Sequence, residues 1–107
     1  MSLSRPYIAK LTQQAQNDLA EIRTYSIQQF GLEQWSVYKR RIETAIQKIC
    51  RTPQLGKDVS VISPELRRYH IGRPKGSHYI YYRLTEQYLV IVRVIHDARD
   101  QENAFKQ

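Results

Sequence analysis

The stretch His78-Tyr79-Ile80-Tyr81-Tyr82-Arg83-Leu84-Thr85-Glu86-Gln87-Tyr88-Leu89-Val90-Ile91-Val92-Arg93-Val94-Ile95-His96 decides the fold. Successive side chains of a strand point to opposite faces. Residues 78–84 therefore set Ile80, Tyr82 and Leu84 on one face and Tyr79, Tyr81 and Arg83 on the other. Residues 88–96 are β-branched on both faces, which predicts an inner strand covered on two sides. Glu86-Gln87 reads as the hairpin turn between them.

Upstream, Leu66 to Ile71 also alternates, with Tyr69 and Ile71 sharing a face with Arg67. Gly72 to Ser77, carrying Arg73-Pro74-Lys75-Gly76-Ser77, is a longer, basic connection. Gln54 to Pro64 is loop-like, punctuated by Gly56 and Pro64.

Before that loop the apolar period changes from two to nearly four. Trp35, Tyr38, Ile42, Ala45, Ile46 and Ile49 form one helical stripe. Pro53 disfavours helical geometry at Thr52, so this helix ends near Arg51. Ala15, Leu19, Ile22 and Ser26, with Tyr25 and Phe30 beside them, predict an earlier helix from Gln13 to Phe30. Thr12 is placed to cap it, and Gly31 to supply the left-handed residue that ends it. So tight a link predicts an antiparallel helical hairpin.

Pro6 to Leu11 reads as a short first strand, with Tyr7, Ala9 and Leu11 on one side. The tail from Asp97 is polar, with Phe105 placed to dock it. The sum is an α+β domain spanning residues 1–107, a strand and a helical hairpin packed on a mostly antiparallel sheet. One helix pair covers one sheet face. The other, carrying part of the Tyr and Arg set, is expected to be open to a partner.

Composition narrows the function classes. Among 107 residues, 41% are hydrophobic, enough for one packed core. Seventeen Lys and Arg against ten Asp and Glu leave a charge of +7, which favours an anionic partner. No apolar run approaches the roughly 20 residues that cross a bilayer. The segment Met1 to Pro6 lacks the apolar core of a secretory signal, and Cys50 is the only cysteine. A cytoplasmic setting without membrane attachment or internal disulfide is expected.

Catalytic signatures are weak. There is no Gly-rich phosphate loop, Ser nucleophile elbow or His-Glu-x-x-His pattern. Cys50 reads as a small apolar residue of the second helix. A metal site would need His70, His78 and His96 to converge, with Asp97 or Asp100 completing it. Hydrogen-bonded sheet histidines are the simpler reading, so neither metal nor cofactor is expected.

Lys39-Arg40-Arg41 reads as a solvated helix face. From residue 67 to 99, seven basic residues face two acids, Glu86 and Asp97, interleaved with Tyr69, Tyr79, Tyr81 and Tyr82. Such a mixture suits RNA, by phosphate contact and stacking, or an acidic peptide. A metal-free ribonuclease could draw cations from Arg67, Arg83 and Arg99 and a proton carrier from His78 or His96. Arg93, on the inner strand, is expected to pair with Asp97 or Asp100.

The order of motifs resembles the ParE branch of the RelE/ParE toxins of bacterial type II toxin–antitoxin systems. The matching pieces are Asp18-Leu19-Ala20-Glu21-Ile22-Arg23-Thr24-Tyr25, Phe30-Gly31, Tyr38, Pro53-Gln54-Leu55-Gly56-Lys57 and Leu66-Arg67-Arg68-Tyr69. They continue in His78-Tyr79-Ile80-Tyr81-Tyr82-Arg83, Ile91-Val92-Arg93-Val94-Ile95-His96 and Arg99-Asp100. The segment Arg73–Ser77 is longer than this resemblance leads one to expect.

The resemblance implies the same α+β fold and a toxin that inhibits DNA gyrase and blocks replication. It also implies a cognate acidic, ParD-like antitoxin and a toxin–antitoxin hetero-oligomer. RelE-like relatives instead cleave messenger RNA on the ribosome. The sheet arginine of their nuclease set falls opposite Tyr79, the arginine after the last strand is matched by Arg99, and the C-terminal tyrosine falls opposite Phe105. Two changed positions, one lacking a hydroxyl, favour binding over catalysis, so no catalytic residue is expected. Arg67, Arg68, Tyr81, Arg83 and Arg99 are the expected antitoxin or target contacts. The alternatives are a ribosome-dependent endonuclease built on Arg67, Arg83 and Arg99, or a non-toxic module for nucleic acid or an acidic protein.

Overall fold

The computed structural model describes residues 5–72 and 77–106. The elements run β1 (Ile8–Leu11), α1 (Gln13–Phe30), α2 (Leu32–Arg51), a 3-10 turn (Pro53–Leu55), β2 (Lys57–Asp58), β3 (Arg67–His70), β4 (His78–Leu84), β5 (Tyr88–His96) and α3 (Gln101–Lys106). The strands form one sheet in the order β1-β5-β4-β3-β2. Among the described residues, only β1 runs parallel to its neighbour, β5; the other pairings are antiparallel. This is the expected α+β architecture. The long basic connection at Arg73–Gly76 lies outside the described residues.

Local chemistry explains the helical hairpin. Thr12 accepts a hydrogen bond from the Ala15 amide at 3.1 Å and donates its hydroxyl proton to the Val92 carbonyl at 2.9 Å. One side chain thus caps α1 and ties it to β5. Gly31 has φ 90° and ψ 168°, extended backbone of the wrong hand for a side chain, so α2 starts one residue after α1 stops. Tyr7 donates its amide to the Cys50 carbonyl at 2.9 Å, which lays β1 alongside the end of α2.

The main core lies between the hairpin and the sheet. Ala15 and Ile22 of α1 meet Trp35, Ile42, Ala45 and Ile49 of α2 over Ile80, Tyr82, Leu89, Ile91 and Val94. Cys50 joins that core, and burial pushes its thiol pKa up. Tyr25 and Phe30 do not: they are exposed, and Ile27 packs in their place.

Alternation holds along β4 but breaks along β5. Tyr81 sits opposite Arg93 while Tyr82 sits opposite Ile91, so Val92 is an extra residue in a β-bulge. The helix-facing set consequently runs Leu89, Ile91, Val94.

The second sheet face is partly closed, against the expectation of an open one. Val59, Leu66, Tyr81, Ile95 and Ala104 form a smaller core there, with Phe105 packed on its edge. The cover comes from the 59–66 loop and from α3, a helix where the sequence pattern predicts only a polar tail. Two apolar residues in six give a helix little periodic signal. Asp100 supplies the start instead, accepting from the Asn103 amide at 3.4 Å and its side-chain amide at 3.0 Å. No helix among the described residues is long and apolar enough to cross a membrane.

Candidate partner-binding surface

Strand pairing decides which basic residues share a face. Arg67 lies opposite Tyr82, whose side chain is in the helix-side core, so Arg67 projects on that side. Its guanidinium donates to the Gly56 carbonyl. Arg68 and Tyr81 are the next pair and project on the α3 side. Arg83, two residues after Tyr81, projects with them, donating to the Pro64 carbonyl at 3.0 Å and to the Ser63 hydroxyl. Arg67 and Arg83 therefore stand on opposite faces, and two of the three cations of the ribonuclease alternative do not converge.

The α3-side face is built around Tyr81. Its hydroxyl donates to the Gln101 side chain at 2.7 Å and accepts from Arg68 at 3.2 Å. The Phe105 ring lies 5.3 Å from it. Tyr81 is fully buried, so it offers no contact area while α3 is docked. That removes Tyr81 from the exposed set, because its burial follows from the helix the sequence concealed. Arg68 stacks its guanidinium 4.2 Å from the centre of the Tyr79 ring. Arg99 is exposed in the turn before α3. Among the described residues, no carboxylate lies within ion-pair distance of Arg67, Arg68, Arg83 or Arg99. Their charge is available to a partner.

The three histidines are closer than their spacing suggested, yet they do not share a face. His78 and His96 are cross-strand partners with rings 5.1 Å apart on the helix side. His78 Nδ1 is 2.6 Å from the Tyr38 hydroxyl, and that hydroxyl is 3.2 Å from Ser77. His70 lies on the other side against Tyr79 and pairs with Asp97 at 2.9 Å. Burial first, then the neighbouring His96, lowers the His78 pKa to about 4, so it is neutral near pH 7. The hydrogen bond from His70 holds the Asp97 carboxyl below its usual value. These are hydrogen-bonded sheet histidines, the simpler of the two sequence readings.

Arg93 corrects a second expectation. Its partner is Asp18 on α1, not Asp97 or Asp100, with nitrogen–oxygen distances of 2.8 and 3.1 Å. In the sequence Asp18 stands out only as part of the motif that carries the family resemblance. An ion pair spanning 75 positions leaves no local signal.

A family model for the ParE toxin of type II toxin-antitoxin system, parDE, matches residues 9–101. The chain belongs to the ParE toxin family. It is therefore a ParE-type toxin of a type II toxin–antitoxin system. Toxin ParE1 of Caulobacter vibrioides is 33% identical over 94 residues, covering 88% of this chain and 91% of the relative. Toxin ParE1 of Mycobacterium tuberculosis H37Rv is 32% identical over 91 residues, covering 84% and 89%. A solved chain from the chromosomal ParDE TA system of P. aeruginosa superposes with a TM-score of 0.70 at 17% identity. The match covers 87% of this chain and 98% of that one, and shows the ParE fold shared across distant sequences.

Proposed function

We propose that this ParE-family chain acts in the cytoplasm by binding and inhibiting DNA gyrase, and that an acidic, ParD-like antitoxin neutralises it in a hetero-oligomer. The observation that carries binding over catalysis is the projection of Arg67 and Arg83 from opposite sheet faces. A phosphoryl-transfer site needs its cations around one reacting phosphate. Phe105 supports the same reading, since its ring packs on Tyr81 and carries no hydroxyl. The unpaired arginines Arg68, Arg83 and Arg99, with Arg67 on the reverse side, are the contacts for antitoxin or target.

The test is a supercoiling assay with purified gyrase and purified toxin. Loss of supercoiling, or accumulation of cleaved DNA, at growth-arresting concentrations is the expected result. Intact gyrase activity together with A-site cuts in a primer-extension assay would replace it with the endonuclease reading. Induction without growth arrest would leave only a non-toxic binding module.

A further inference from the structure

The basic run Lys39-Arg40-Arg41 does more than face solvent. Arg40 and Arg41, with Lys48 two turns along α2, line a groove of about 460 Å³ between α2 and β3. Its apolar lining comes from Val37, Ala45, Tyr69 and Ile71, and Thr44 also lines it. No carboxylate among the described residues pairs with any of the three cations. From Arg41 to Lys48 is about 10 Å of helix, the length of three to four residues of extended chain.

The edge of β3 runs beside this groove. β2 pairs only with Arg67 and Arg68, so the edge beyond them has no strand partner among the described residues. Ile71 donates its amide to the His78 carbonyl at 3.0 Å, which turns the backbone of Ile71, and by alternation that of Tyr69, toward β4. The amide and carbonyl of His70 then face outward. An unpaired strand edge accepts an added strand, and the flanking pockets read its alternate side chains.

We propose that this groove takes an extended acidic segment of a partner protein, which adds to the β3 edge at His70. Its apolar side chains rest on Val37, Tyr69 and Ile71. Its carboxylates meet Arg40, Arg41 and Lys48, a complementarity that steers association and sets register. The inference rests on the reading that an acidic antitoxin holds this chain, and it gives that partner a second seat, separate from the arginines beside α3.

The probe is an acetylated octapeptide alternating Glu with Val or Leu, titrated into the isotope-labelled chain and followed by amide NMR shifts. Perturbations should be confined to residues 69–72 and 37–48. Reversing two exposed cations, Arg40→Glu with Lys48→Glu, should weaken binding about ten-fold or more. Filling the groove with Thr44→Trp should do the same, and well-dispersed spectra of each variant show that it folds. Four results overturn the proposal: no perturbation at millimolar peptide, shifts centred beside α3, unchanged affinity in both variants, or equal binding of a peptide with Lys in place of Glu. Tighter binding of a single-stranded oligonucleotide to the same residues would also overturn it, as would shifts that depend on the chain's own concentration. Failure of the toxin reading shows separately, as absent growth arrest on induction, which the titration does not measure.

Discussion

Arg93 of β5 and Asp18 of α1 form a two-pronged ion pair between the sheet and the first helix, with side chains only 11% and 13% exposed. The same carboxylate accepts the Val94 amide at 2.9 Å, and the same guanidinium donates to the Ala104 carbonyl at 3.0 Å. One pair therefore joins the first helix, the inner strand and the last helix. The bulge at Val92 immediately precedes Arg93 in the strand.

Asp18→Ala should cost about 3 kcal/mol, because a nearly buried guanidinium loses the carboxylate it pairs with. Adding Arg93→Met should recover part of that loss, since it removes the buried guanidinium left without its partner. Urea unfolding of the two single variants and the double variant measures the coupling; simple additivity would show that the pair is not coupled.

Tyr82 is the second anchor. Its hydroxyl donates to the Pro53 carbonyl and accepts from the Gly56 amide at 3.0 Å, all in buried surroundings. Tyr82→Phe leaves these two backbone groups only their own long bond, Gly56 amide to Pro53 carbonyl at 3.4 Å, and should cost about 1–2 kcal/mol. Gly56→Ala should cost at least as much, because the added methyl would overlap the Tyr82 ring. Thermal or urea unfolding at pH 7 checks both.

Stability should fall with pH in a defined window. His78 titrates at about 4 in the fold against 6.5 when unfolded, so the unfolded chain takes up the proton first. Its contribution is complete above pH 6.5 and is lost as pH falls toward 4, by about 3 kcal/mol. His78→Gln should flatten that slope in urea unfolding between pH 7 and 4.5. A slope unchanged by the substitution would assign the dependence to other groups.

Glu65 has φ 59°, a conformation that suits glycine, at the third position of the turn Ser63-Pro64-Glu65-Leu66. Arg83 braces that turn through Pro64 and Ser63. Glu65→Gly should therefore stabilise the protein by about 0.5 kcal/mol, the relief of positive φ exceeding the added chain entropy. Equilibrium unfolding reads the sign directly.

The sequence by itself determined the elements whose apolar residues repeat. The boundaries of α1 and α2, the Thr12 cap, the break at Gly31, and the alternation of β4 all follow from local sterics and period. The family was likewise legible from motif order. Tertiary structure decided everything that depends on residues far apart in the chain: the Asp18–Arg93 pair, the bulge at Val92, and the docking of a six-residue α3 over Tyr81. It also sorted the arginines, sending Arg67 and Arg83 to opposite faces and aligning Arg40, Arg41 and Lys48 along one groove. The physical reason is range. Backbone sterics and periodicity act within a few residues, whereas burial and charge pairing depend on which distant segments the fold brings together.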